Sequence, residues 1–192
     1  MAVERRTGPA PGATREEVLE LARERLVACE RIDVRAIATE CGVGRATVYR
    51  WFGSREGLVA EAMVAVFEQR VVDARGASDG SGAPPLLDAV GLVYAGVVTA
   101  PHLRHLVERE PELARRIITS SAGAVHPRVV ALIRGLIDTE IERGSYEPPI
   151  DPETLAYVLV RLAESALFHY DTDEYPRDLE RMREVQRALL GV

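Results

Sequence analysis

Lysine is absent from this chain: all 24 basic residues among its 192 are arginines. A Walker A phosphate loop needs a lysine, so this class of nucleotide-binding site is excluded. The Gly-x-Ser-x-Gly elbow and a Gly-x-Gly-x-x-Gly fingerprint after a strand are also missing. No catalytic residue and no cofactor is therefore predicted.

Long apolar segments and cysteines are also scarce. No apolar run approaches the roughly 20 residues of a membrane span, and residues 1–12 lack the apolar region of a secretory signal. The two cysteines, Cys29 and Cys41, are predicted to be buried free thiols, with a redox pair as the alternative. These features predict a cytoplasmic protein without a membrane partner.

Residues 34–58 read VRAIATECGVGRATVYRWFGSREGL and carry the most informative pattern. Apolar residues on one face of a short helix are followed by a tight turn around Gly42 and by a second short helix. Two short helices joined by such a turn form a helix-turn-helix, whose second helix enters the DNA major groove. Gly42 suits the turn because glycine adopts positive φ without steric cost.

The second helix carries residue types that bond base edges and phosphates. The predicted DNA-binding residues are Arg45, Ala46, Thr47, Tyr49, Arg50 and Arg55. Arg45 and Thr47 are expected to face bases. Tyr49, Arg50 and Arg55 are expected to hold phosphates, together with backbone amides behind Ser54. Trp51 and Phe52 are expected to be partly buried.

The spacing Ile37-Ala38, Gly42-Val43, Thr47, Tyr49, Phe52, Arg55, Leu58 resembles the TetR family of one-component transcriptional regulators. Arg55 departs from the family pattern, which usually has lysine at this position. The resemblance implies a homodimeric repressor that binds an inverted-repeat DNA operator and is released by a small amphipathic molecule. A helical scaffold protein and a helical enzyme, each with a structural helix-turn-helix, are the alternatives.

Charge is unevenly distributed over the chain, whose formal net charge is −6. Residues 1–58 hold ten arginines against nine acidic residues, and the remainder holds fourteen against twenty-one. A nearly neutral end joined to an acidic body favours local DNA contact over indiscriminate coating of nucleic acid.

Apolar residues recur at helical spacing and no period-2 strand pattern is present, which predicts an all-α fold of about ten helices. The family resemblance implies a three-helix helix-turn-helix DNA-binding head over 13–58, with helix 4 (54–75) as a connector. It also implies a helical ligand-sensing and dimerisation domain over 76–192, and a Gly/Ser-rich loop is expected over 76–83. The predicted helix caps are Thr14, with Glu17 in a capping box, and Asp33, Ser54 and Asp151.

The segments PHLRHLVEREPELARRIITS and RGSYEPPIDPETLAYVLVRLAES resemble the sensor domain of TetR regulators that control quorum-sensing-signal degradation. This resemblance implies a lactone as the small-molecule effector. The helices 84–100, 101–122 and the helix around Glu164 are expected to enclose a mainly apolar cavity. Its predicted ligand-binding residues are Tyr94, Val98, His105, Leu106, Ile117, Glu164 and Phe168.

Some of these residues have other interpretations. Tyr94 could be a core residue, and Glu164 could lie on a solvated face. His102 and His105 stand one helical turn apart and could bind a metal or a ligand, or could be surface or capping histidines. A convincing third ligand is lacking, so no metal site is predicted.

The helices over 125–143 and 152–170 are long and apolar, and alanines on the second permit close helix approach. Paired with their copies in a second subunit, they would form a four-helix interface, as the family resemblance implies. Packing within one chain is the competing explanation for their apolar faces.

Overall fold

A computed structural model describes residues 13–78, 80–168 and 175–192, and the side chains of all these except 175–178. These residues form ten helices and no strand, which confirms the predicted all-α fold. The predictions for residues 1–12, and for the end of the 152–170 helix, lie outside the described part. The helices are α1 (Arg15–Val27), α2 (Val34–Glu40), α3 (Arg45–Phe52), α4 (Arg55–Ala77), α5 (Ala83–Val98), α6 (Pro101–Arg109), α7 (Pro111–Ile118), α8 (Val125–Glu142), α9 (Pro152–Phe168) and α10 (Tyr175–Leu190).

All four predicted helix caps are confirmed. Each side-chain oxygen accepts a hydrogen bond from the backbone N–H three residues further on, at 2.8–3.2 Å. Thr14 also donates its own N–H to Glu17 at 2.6 Å, which completes the capping box. Each cap satisfies a backbone donor that the first helical turn leaves unpaired. The capping residues are Thr14, Asp33, Ser54 and Asp151.

The turn between α2 and α3 is built around Gly42, which has a φ of 63°. Residues with a Cβ atom seldom adopt this backbone conformation, so glycine lets the chain reverse in few residues. Ile37 on α2 and Val48 on α3 are both almost completely buried, at 2% and 1% exposure. They belong to one apolar core with α1 and α4, which fixes the direction of α3.

The first helix is shorter than the predicted span of 14–30. It ends at Val27, and Cys29 adopts a φ of 58°, so the chain leaves the helix before residue 30. Cys29 and Cys41 are free thiols, but both are half-buried and not fully buried as predicted. Partial burial raises the pKa of Cys41.

The long helix α4 joins the head to the body, and it extends two residues beyond the predicted end at 75. Leu58 and Met63 are completely buried in the core, and Phe67, one helical turn after Met63, lines the cavity of the body. The loop after α4 is correspondingly shorter than predicted, since α5 already begins at Ala83.

A buried carboxylate, Glu140 near the end of α8, ties three segments of the body together. It accepts hydrogen bonds from the Gly82 N–H at 2.5 Å and the Ser145 hydroxyl at 2.9 Å, and it pairs with Arg75 of α4. Burial of this carboxyl favours its neutral form, but these donors outweigh burial and lower its pKa. The Glu140 carboxylate therefore connects the end of α4, the start of α5 and the end of α8.

Among the described helices, none is by itself long and apolar enough to cross a membrane. The bent pair α5 and α6 meets the length and composition requirements only when the two are taken together.

Candidate DNA-binding surface and effector cavity

The recognition helix α3 has one face in the core and one in solvent. Val48 and Phe52 point inward, and Trp51 is half-buried. The rings of Trp51 and Phe52 meet edge to face at 6.5 Å between centroids, and the Arg15 guanidinium lies 4.7 Å from the centre of the Phe52 ring. These contacts fix α3 on the head. Trp51 is partly buried as predicted, whereas Phe52 is 7% exposed and belongs to the core.

The opposite face of α3 presents the predicted DNA-contacting residues. Arg45, Ala46, Tyr49 and Arg50 are exposed, and Thr47 is half-buried. Neither Arg45 nor Arg50 has a hydrogen bond or an ion pair with any residue that the structure describes. Two free guanidinium groups and a phenol, 46% exposed, thus lie side by side on a rigid helix.

The start of α4 lies directly against the end of α3. A Cβ atom at Gly57 would come within 2.0 Å of the Phe52 carbonyl oxygen, so only glycine permits this approach. Ser54 caps the helix through the Gly57 N–H at 3.0 Å. The N-terminus of α4, a position that favours anions, is therefore held next to the C-terminal end of α3.

Arg55 does not share the exposure of the other predicted DNA-binding residues. Its Nε donates to the Ile32 carbonyl at 2.7 Å, and its two terminal nitrogens donate to the Glu110 carboxylate at 2.7 and 2.6 Å. The side chain is only 25% exposed. The hydrogen bond from Arg55 lowers the pKa of Glu110. The phosphate-holding role predicted for Arg55 conflicts with these partners, because every nitrogen of the guanidinium already bonds within the chain.

A second bidentate ion pair lies beside the first. Arg116 of α7 donates to Glu56 of α4 at 3.0 and 2.6 Å, in a more exposed position. The first turn of α4 is thus joined to the short helices α6 and α7 through two arginine–carboxylate forks. Such forks fix geometry as well as distance.

The body contains a narrow apolar cavity of about 40 Å³. Aliphatic and aromatic side chains form almost all of its wall, and the polar groups on it come from Tyr94, Glu164 and Gln186. Helices α4, α5, α7, α8, α9 and α10 all contribute. A mainly apolar wall with a few polar groups is typical of small-molecule sites.

The Glu164 carboxylate is buried and held by two partners. His126 Nδ1 lies 2.7 Å from one oxygen, and Arg161 donates to the other at 2.7 Å. Arg161 also donates to the Thr119 carbonyl at 2.8 Å. Tyr157 packs against both partners, with its ring centroid 5.5 Å from that of His126 and 5.1 Å from the Arg161 guanidinium carbon.

Two of the predicted ligand-binding residues, Tyr94 and Glu164, line this cavity. The other five do not. Ile118 takes the place of Ile117 and Leu167 that of Phe168, because the helical rotation at these positions turns the neighbouring residue inward. His105 and Leu106 line a separate cleft. Val98 is buried, but Val97 and not Val98 faces the cavity.

Several cavity residues were not predicted from the sequence. Val125, Val129 and Ile133 of α8 lie one helical turn apart and face the cavity, whereas their spacing only indicated a dimer helix. Gln186 on the wall was also missed, and so was His126, which lies behind the wall and contacts Glu164. Their positions depend on how α8 and α10 pack on α9 and α5, which sequence spacing does not specify. His102 is buried, His105 is half-buried, and neither belongs to a potential metal-binding cluster within the described residues.

Comparisons with known proteins agree with this architecture. The solved structure of the transcriptional repressor QsdR of R. erythropolis is 25% identical, with a TM-score of 0.78 over 93% of this chain and 94% of that one. The repressor AlkX of Dietzia sp. strain DQ12-45-1b is 19% identical, with a TM-score of 0.68 over 95% and 99%. A TetR regulator of Rhodococcus sp. RHA1 is 23% identical, with a TM-score of 0.55 over 91% and 92%. No curated protein sequence matches this chain significantly.

Both parts of the chain match known protein families by sequence. Residues 29–62 match the bacterial regulatory proteins of the tetR family, around the helix-turn-helix. Residues 81–191 match the tetracyclin repressor-like C-terminal domain, which covers the body. The second match alone spans more than half of the sequence. The chain belongs to the TetR family of transcriptional regulators.

Proposed function

We propose that the protein is a ligand-responsive repressor that binds an inverted-repeat operator as a homodimer and is released by a small amphipathic molecule. The observation that carries this proposal is the pair of guanidinium groups on α3, Arg45 and Arg50, which no described residue pairs. Unpaired guanidinium groups on a rigid exposed helix suit contact with base edges and phosphates. The QsdR structure, similar over nearly the whole chain, is described as a repressor.

The DNA contacts divide by position on α3. Arg45 and Thr47, in its first turn, face base edges, and Ala46 beside them leaves room for close approach. Tyr49 and Arg50, one turn further, hold phosphates together with the N-terminus of α4. Arg55 is reassigned: its bonds to Glu110 and Ile32 suit a role in linking the head to the body.

The proposed dimer interface uses the outward faces of α8 and α9. Tyr157 is 44% exposed, Val158, Leu162 and Ala166 are half-buried, and the small residues Ala131 and Gly135 of α8 are exposed. Small residues allow two helices to approach closely. Other apolar residues of α9, such as Leu159, face the core and the cavity of their own chain. The proposal therefore assigns one face of these helices to packing within their own chain and the outward face to the dimer.

The apolar cavity is the proposed effector site, with a lactone as the effector class. Its aliphatic wall suits an apolar tail, and the Gln186 amide could donate to a ring carbonyl. At about 40 Å³ the cavity holds only a few water-sized groups. An effector must therefore bind a conformer in which the surrounding helices have moved apart.

The two arginine–carboxylate forks provide the connection from cavity to DNA. Ile118 of α7 lines the cavity, while Arg116 of the same helix holds Glu56 of α4. Displacement of α7 by an effector would pull on the start of α4, which lies against α3. The spacing of the two heads in the dimer would then change, and with it the fit to half-sites about one helical turn apart.

Titration of operator DNA and effector against each other tests this function. Promoter fragments from the genomic neighbourhood supply the DNA, and lactones of graded tail length supply the ligand. Reciprocal coupling requires that each partner weakens the other by the same factor, corresponding to about 1–3 kcal/mol. A lactone that binds free protein and operator-bound protein equally well is not an inducer. Failure of every promoter fragment to bind selectively in moderate salt would contradict the repressor proposal.

A further inference from the structure

A cleft of about 460 Å³ opens between the head and α6, apart from the apolar cavity. The head contributes the end of α1, the loop before α2, and α4. The body contributes α6 and the junction with α7. The cleft is larger than the internal cavity, and its wall is about evenly polar and apolar.

Arginine side chains give the cleft a positive character. Arg31 lies on the head side, Arg109 on the body side, and both are exposed. Neither has a hydrogen bond or ion pair with a residue that the structure describes. The carboxylates that also line the cleft are already paired, Glu30 with Arg25 and Glu110 with Arg55. Two guanidinium groups without a hydrogen-bonded partner among the described residues therefore line the cleft, one on each side of the head–body boundary.

A buried histidine on the same wall lacks a partner. His102 is 6% exposed, and its Nε2 has no hydrogen-bond partner among the described residues. Burial, and to a smaller extent the charge of Arg70, lowers the pKa of His102, so the ring is neutral at pH 7. A buried polar atom without a partner is costly, and His102 is the residue of the cleft wall that carries one.

The apolar part of the wall indicates that the ligand is more than a bare ion. Leu26, Ile32, Val59 and Leu106 line the cleft, and its volume falls in the range of about 300–1,000 Å³ that is typical of small-molecule sites. A charged head group between the arginines would leave room for an organic body against these side chains.

We propose that this cleft is a second ligand site, which binds a small organic anion with a carboxylate or phosphate head group between Arg31 and Arg109. Guanidinium groups match both head groups in charge and geometry. Such a ligand touches the head and α6 at once and competes with Glu110 for Arg55. Its binding therefore changes the link between head and body without occupying the apolar cavity.

Calorimetry on the full chain without DNA tests the site with four probes: phenyl phosphate, benzoate, inorganic phosphate and phenol. The two aromatic anions should bind more tightly than phosphate, which lacks the apolar body, and than phenol, which is uncharged at pH 7. Whichever of the two aromatic anions binds more tightly identifies the preferred head group.

Arg31→Gln and Arg109→Gln should each weaken binding of that anion at least about tenfold, as expected for loss of one charge-assisted hydrogen bond. Arg115→Gln, an exposed charge change on α7, should have no effect.

Imidazole NMR provides an independent measurement, because the chain has only four histidines. The aromatic anion that binds should shift the ring nitrogen resonances of His102 in the wild-type chain, which needs no variant to fold. An unchanged His102 resonance, or equal weakening by Arg115→Gln and Arg109→Gln, would overturn the proposal. Both measurements are made without operator DNA and without lactone. Failure of the second-site proposal is therefore distinguishable from failure of the repressor proposal.

Discussion

Arg45 and Arg50 lie on the exposed face of α3, and we propose that Arg45, in the first turn, contacts base edges. Arg45→Ala should relax sequence preference and cost about 1–3 kcal/mol of operator binding, provided that its contact to guanine is bidentate. Arg45→Lys is the matched control, since it keeps the charge but loses the fork. It should preserve the salt dependence while still losing selectivity. Anisotropy titrations against operator and scrambled DNA measure both quantities.

Arg55 lies in the next helix but bonds inward, so its substitution should act differently. Arg55→Gln should leave the salt dependence of operator binding unchanged and reduce the factor by which effector weakens operator binding. Arg50→Gln should instead flatten the salt dependence by about one phosphate contact. Operator titrations over a range of salt concentrations, with and without lactone, separate the two. Equal flattening in both variants would restore the phosphate role first predicted for Arg55.

Glu140 makes stability depend on pH in a defined direction. Its folded-state pKa lies below the reference value of 4.5. Its ionisation therefore stabilises the fold above the unfolded pKa, and this contribution is lost as pH falls through the folded pKa. Glu140→Gln should lower the free energy of unfolding by about 1–3 kcal/mol at pH 7, and the difference from wild type should shrink in acid. Urea unfolding at several pH values tests this, with the exposed Glu112→Gln as control.

The proposed function gives helix α9 two roles on different faces, which decides how the proposed dimer should be tested. Leu162 is half-buried on the outward side, whereas Leu159 is 5% exposed and lines the cavity. Leu162→Arg should give a folded monomer without operator binding. Leu159→Arg places a charge in the core and should unfold or loosen the chain. Light scattering shows the oligomeric state, and circular dichroism shows whether the helices remain. A folded Leu162→Arg dimer would contradict the proposed interface.

Helices and caps were predictable because their causes are local. Thr14, Asp33, Ser54 and Asp151 each bond to a backbone N–H three residues away, so sequence spacing suffices to find them. The cavity has no local cause. Ile117 and Ile118 are adjacent and equally apolar, so the sequence does not distinguish them. Which of the two faces the cavity depends on the rotation of α7 against α8. Two of seven predicted ligand residues therefore line it.

For the whole molecule, the family and the all-α fold could be predicted from the sequence, but the ion pairs between the first turn of α4 and the short helices could not. Arg55 and Glu110 are far apart in sequence and meet only because α6 and α7 pack beside the start of α4. Arg116 and Glu56 meet for the same reason. Charge pairs of this kind have no spacing rule. Arg55 stands where the motif predicts a phosphate contact, but its guanidinium group bonds to Ile32 and Glu110 of the same chain.

The chain's one tryptophan is Trp51, half-buried beside Phe52 in the head. Indole emission therefore originates from the DNA-contacting end alone, and no tryptophan lines the effector cavity. An emission change on adding a lactone would report a disturbance transmitted to the head, free of any direct effect of ligand on the fluorophore. Trp51 is thus an intrinsic optical probe of the proposed transmission from cavity to head, usable without labelling and without DNA.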